Sequence, residues 1–149
     1  MNDSPRLAVI GFGHQGEAQA LNLRDAGWSV AIGARSGGAS AARARAQGFE
    51  PKEPAQALRG ASWAAMLIAD EALPALWPDL EAAIEPGCTL VFAHGFHLLY
   101  GALKLPELSD VVLVSPTGPG RVLRQSFERG AKLPAYVAVH RDASGGALV

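Results

Sequence analysis

Six short apolar runs recur along this chain: RLAVI (6–10), WSVAI (28–32), WAAMLI (63–68), CTLVFA (88–93), VVLVS (111–115) and AYVAV (135–139). Each has the length of a strand and lacks the alternation of a sheet with one wet face, so all six read as strands apolar on both sides. Between them the pattern predicts helices at 15–27, 40–48, 54–60, 71–87, 95–103 and 120–130, several ending at a glycine suited to a helix C-terminus. Strands and helices in turn, joined by right-handed crossovers, give an α/β fold: a doubly wound, mostly parallel sheet with helices on both faces. Ligands of such a sheet sit beyond the carboxyl ends of its strands.

Composition narrows the partners. With 149 residues, 49% of them hydrophobic, the chain supports one core, and 1–149 reads as a single domain. Thirteen basic residues oppose fourteen acidic ones for a net charge of −1, and no Lys/Arg cluster is dense enough for a nucleic-acid backbone. The start, MNDSPRLAVIGFG, has no signal-peptide pattern, and no apolar run nears the roughly 18 residues that span a bilayer. Neither nucleic acid nor membrane is expected as a partner, and the expected location is cytoplasmic. Cys88 is the only cysteine, which excludes an internal disulfide and a cysteine-based zinc site.

The first predicted strand runs into G-x-G-x-x-G at Gly11, Gly13 and Gly16, and a helix opens there. Gly11 permits a tight turn, Gly13 lets backbone approach a pyrophosphate, and Gly16 lets helix and strand pack closely. The helix start offers free N–H groups and partial positive charge. Alone, the pattern also fits tight βα packing with no ligand; strand before, helix after and a second strand at the right distance favour a dinucleotide, as in a Rossmann-like fold.

The second strand selects which dinucleotide. NAD-binding domains place a carboxylate near its end for the ribose, whereas this chain has Ala34, Arg35 and Ser36. A carboxylate about 4 Å from a 2′-phosphate costs on the order of 4 kcal/mol at a near-surface dielectric, and its absence removes that penalty. Arg35 can pair with the phosphate or stack on adenine, and Ser36 and Ser40 can donate hydroxyls, so NADP is the expected cofactor. The competing reading makes Arg35 a solvated arginine and Ser40 a helix N-cap.

The run LVFAHGF ends in an imidazole, His94, at the strand rim where the cofactor is expected. A lone histidine there also fits a structural or solvated role. His97 and His140 are given no functional role. Glu81 and Glu85 share a helix face at i,i+4 but lie toward the amino ends of the strands, across the sheet from His94, and read as a solvated face. Asp70 and Glu71 are on the correct edge, but two adjacent acids make a thin magnesium site.

Four blocks, GFGHQGEAQALNLRDAGWSVAIGAR, LVFAHGF, SPTGPG and YVAVHRDASG, resemble in order and spacing the N-terminal domain of ketol-acid reductoisomerase (acetohydroxyacid isomeroreductase), from about Leu7 to the last residue. The resemblance implies an NADPH- and Mg²⁺-dependent enzyme of branched-chain amino-acid synthesis. It carries His94 over as a catalytic residue that orients or exchanges protons with substrate oxygens and metal-bound water. Phe12, Gly13, His14 and Gln15 match the family's pyrophosphate loop, and Arg35 and Ser40 its adenosine-phosphate contacts. Asp70, Glu71, Ala72 and Leu73 match a loop touching the cofactor, and Gly120 the last glycine of a loop near the nicotinamide.

This chain departs from the family at His14, for Ser; at Ala69, for Pro; at Leu73, for Gln; and at Thr117, for a lysine beside the pocket. The family's Mg²⁺ carboxylates come from a C-terminal helical domain, and the chain is expected to end before it: Ser144 could cap a helix that has room for only one turn. No metal site is expected in the chain itself. Three functions remain open. The first is the cofactor domain of a ketol-acid reductoisomerase acting on 2-acetolactate or 2-aceto-2-hydroxybutyrate, inactive alone. The second is a stand-alone NADP-binding or sensing module. The third is a different reductase on the same cofactor domain, such as an imine reductase, against which the FAHGF block argues. Uncovered apolar sheet predicts association with a second copy or a partner chain.

Overall fold

A computed structural model of the chain describes residues 6–101 and 103–148. Its strands are β1 (Arg6–Ile10), β2 (Ser29–Gly33), β3 (Trp63–Met66), β4 (Thr89–Phe92), β5 (Val111–Pro116) and β6 (Ala135–Arg141). Its helices are α1 (His14–Asp25), α2 (Ala39–Ala46), α3 (Pro54–Leu58), α4 (Leu73–Ala83), α5 (Phe96–Tyr100) and α6 (Gly120–Glu128). Every predicted element is present, most a few residues shorter than its pattern; Ala102, inside the predicted 95–103 helix, lies outside the described residues.

The sheet order is β2-β1-β3-β4-β5-β6, parallel from β2 to β5. The chain leaves β1 toward β2 on one side and later fills β3 on the other, so the strand order reverses at β1 and opens a crevice between the carboxyl ends of β1 and β3. The pleat divides β1 between two cores. Leu7 and Val9 pack with Phe12, Leu21, Ile32 and Phe49 on the α1–α2 side. Ala8 and Ile10 pack with Leu58, Trp77, Leu80, Leu90 and Phe92 on the side of α3 and α4. Trp77 reaches that core with its polar edge satisfied, its Nε1–H donating to Lys104 O at 2.8 Å. Cys88 is buried, as its apolar reading requires, and burial first, then Glu85, pushes its thiol up to about 11. Among the described residues no helix is long and apolar enough to cross a membrane.

Two expectations need correction. AYVAV does form a strand, but β6 runs antiparallel at the sheet edge and is exposed over nearly its whole length, with Tyr136 74% accessible. An apolar run records what a strand prefers to touch, and the described helices do not supply that cover. No helix follows Ser144 among the described residues; its hydroxyl accepts Gly146 N–H at 3.1 Å and donates to Asp110 Oδ2 at 2.7 Å, while Ala143 and Ser144 N–H donate to Asp110 Oδ1 at 2.7 and 2.9 Å. The Ser144 hydroxyl bond above all, then the backbone donors, holds the Asp110 carboxyl below its ordinary value of 3.8. Asp110 thus ties the segment after β6 to the start of β5.

Candidate cofactor groove and histidine pocket

The glycine loop is built by close approach. Gly11 has φ of +97°, and a Cβ there would lie 2.6 Å from Leu67 O. Its N–H donates to Gly33 O at 2.8 Å, and Leu67 N–H donates to Ile10 O at 2.8 Å, tying the loop to the strands on either side. At Gly16 a Cβ would come 2.2 Å from Gly11 O, so only glycine allows α1 to lean on the loop. Gly13 differs in kind: a Cβ there meets nothing within 4 Å. It lies at the mouth of α1, whose first-turn N–H groups have no helical partner.

Before this loop opens a groove of about 540 Å³, walled by Gly11, Gly13, Arg35, Ser40, Ile68 and Ala72 among others. Thus Gly11, Phe12, Gly13, Arg35, Ser40 and Ala72 line one groove. Phe12 contributes through its backbone, because its ring is fully buried edge-on to Phe49. At the far end a cavity of about 190 Å³ is lined by Gln15, Asp70, Leu73, Phe92 and His94, so the two halves of the predicted site share one sheet edge. Leu73 borders this cavity from within the core, 1% exposed. Ser36 and Glu71 are exposed and lie outside both walls.

Two loop residues face another way. His14 and Gly120 line a separate cleft of about 340 Å³ between α1 and α6. A Cβ on Gly120 would lie 2.0 Å from His14 O, so this glycine is required by the α1–α6 approach itself. Gln15 Nε2 donates to Gly118 O at 3.0 Å, bridging the same two segments. Asn22 and Asp25 hold Arg124 of α6, which in turn keeps the Asp25 carboxyl below its ordinary value.

At the histidine pocket, Asp70 stands between two imidazoles. Its Oδ2 lies 3.4 Å from His94 Nδ1, and its Oδ1 3.4 Å from His97 Nε2. His97 Nε2 is also 3.0 Å from Asp70 O; a carbonyl only accepts, so Nε2 carries the proton. His97 is buried, its Nδ1 has no partner among the described residues, and it fixes the loop that holds Asp70. His94 itself is exposed, with Nδ1 toward Asp70. Thr117, in place of the family lysine, gives its hydroxyl to Pro134 O at 2.9 Å. Among the described residues no three His, Cys, Asp or Glu side chains cluster closely enough to hold a metal ion.

Three residues escaped the sequence reading. Arg43 donates to Phe12 O at 2.7 Å and braces the glycine loop. Glu53 Oε1 accepts Ser36 N–H at 2.7 Å, placing a carboxylate beside a loop whose own sequence has none. The third is His97, which follows His94 by three residues and was read from the sequence without a functional role.

A glycine-loop groove at the reversal of a doubly wound parallel sheet defines a dinucleotide-binding domain. The family model for the acetohydroxy acid isomeroreductase NADPH-binding domain matches residues 2–149, and the chain belongs to that family. It is 46% identical over 143 residues to the ketol-acid reductoisomerase (NADP(+)) of Pyrobaculum arsenaticum, covering 95% of this chain and 44% of that protein. The enzyme of the same name from Clavibacter michiganensis is 47% identical over 143 residues, with 42% of its length covered. Among solved structures, an NADH-preferring ketol-acid reductoisomerase from an uncultured archaeon superposes with a TM-score of 0.90 at 34% identity, covering 96% of this chain and 45% of that one. The chain thus spans less than half the length of these relatives.

Proposed function

We propose that this chain is the NADPH-binding half of a cytoplasmic ketol-acid reductoisomerase. The observation that carries the reading is the groove at Gly13, where backbone N–H groups at the head of α1 face a space that no side chain fills. The residues suit the cofactor: the glycine loop and α1 take the pyrophosphate, and Arg35 and Ser40 take the adenosine phosphate. When bound, NADPH supplies a hydride at its nicotinamide ring. His94, aimed by Asp70, exchanges a proton with the oxygen of an acetohydroxy acid such as 2-acetolactate or 2-aceto-2-hydroxybutyrate. Mg²⁺ does not fit the described side chains, so no step is assigned to it within this chain.

It follows that the chain binds cofactor but does not turn over unless carboxylates come from outside these 149 residues, through further polypeptide or a partner chain. The exposed apolar strand β6 supports such a docking, with a second copy or with a partner. A second reading, a stand-alone NADP-binding module, is favoured by Thr117 and Leu73, where the chain departs from the family pattern. Calorimetric titration with NADPH tests the shared step. Saturable binding supports both readings; turnover restored by an acid-rich helical partner selects the enzyme, and no binding overturns both.

A further inference from the structure

The β2–α2 loop carries no carboxylate of its own, yet the fold brings one to it. Lys52 N–H donates to Ile32 O and Ala34 N–H donates to Lys52 O, each at 2.9 Å, pairing Lys52 with Gly33 beyond the sheet edge. Only glycine at 33 permits this, since a Cβ would lie 2.7 Å from Ile10 Cδ1 and 3.0 Å from Pro54 Cα. Glu53 follows directly, at the boundary of α3, and makes no side-chain cap to its own helix. Its carboxylate takes Ser36 N–H instead. Arg35 and Pro54, the sequence neighbours of this pair, both line the groove.

We propose that Glu53 is a cofactor-selectivity residue. Its negative charge, pinned on the loop that receives the adenosine end, opposes a 2′-phosphate and occupies an N–H that the phosphate would otherwise use. The same oxygens can accept from the free 2′-hydroxyl of NADH. Glu53 therefore narrows the preference for NADPH that Arg35 creates, performing from α3 the task that many NAD-binding domains give to the end of their second strand. Ser36, read from sequence as a phosphate donor, is by this account the residue through which Glu53 is held.

This inference rests on the groove being a dinucleotide site, and the test separates the two. NADPH and NADH are titrated into the wild-type chain, Glu53→Gln and Glu53→Ala. Glutamine keeps an acceptor for Ser36 N–H and removes only the charge, so the ratio of NADH to NADPH dissociation constants should rise on the order of tenfold. The gain should shrink as salt is added, because it is electrostatic. Alanine, which also frees the N–H, should raise the ratio at least as far. Unchanged ratios in both variants, with wild type binding NADPH, would overturn the role of Glu53 and leave the groove reading standing. If wild type binds neither dinucleotide, both fall.

Discussion

The two ends of the cleft are built to different degrees. At the glycine loop every element comes from the chain itself: Gly11 and Gly16 close the turn, Arg43 braces it, and Arg35 and Ser40 wait on the wall. At the histidine pocket His94 is aimed by Asp70, but no metal cluster forms among the described residues, and the neighbouring β5–β6 edge presents bare apolar side chains. Binding a dinucleotide needs backbone and one or two cations, which a single βαβ unit supplies. The rearrangement and reduction of an acetohydroxy acid need charge from several directions at once, and one sheet edge cannot surround a substrate.

The sharpest way to break this contrast is within the glycine loop itself. Gly16→Val, forced against Gly11 O, should cost on the order of 3 kcal/mol or more in a urea titration. Gly13→Val, with open space around it and an extended backbone, should leave stability within about 0.5 kcal/mol yet abolish NADPH binding. Equal effects on stability would remove the distinction between a packing glycine and a ligand glycine. Next, Arg35→Ala should weaken NADPH about 10- to 100-fold, the value of a charge-assisted phosphate bond, and change NADH far less.

Away from the cleft the effects are smaller. Asp110 has a folded value below 3.8, so its contribution to stability is complete above that pH and is lost as pH falls through the lowered value. Acid unfolding of Asp110→Asn should accordingly begin from a lower baseline and show a shallower fall below pH 3.8 than wild type. Least of all, Tyr136→Lys on exposed β6 should alter monomer stability by less than about 0.5 kcal/mol while weakening self-association or partner capture. A large loss of stability there would mean that β6 is already covered.

Legibility followed the range of the interaction. Five strands were visible because a buried parallel strand announces itself in a handful of consecutive residues, and β6 because its run is just as apolar although it is antiparallel and exposed. Gly11, Gly13 and Gly16 were visible because the turn they make is local. The exposure of β6 was not, since cover is a property of other segments. Glu53 was not, because it reaches Ser36 from 17 residues away through the pairing of Lys52 with Gly33. Gly120 was singled out by resemblance as a cofactor glycine; the structure gives it a further reason, the approach of α6 to His14 O.

The most direct test puts both ends into one sample: NADPH is titrated into the purified chain, and its oxidation is then followed with 2-acetolactate and Mg²⁺ present. The account predicts saturable binding without turnover. Absence of binding, or sustained turnover by the chain alone, would contradict it.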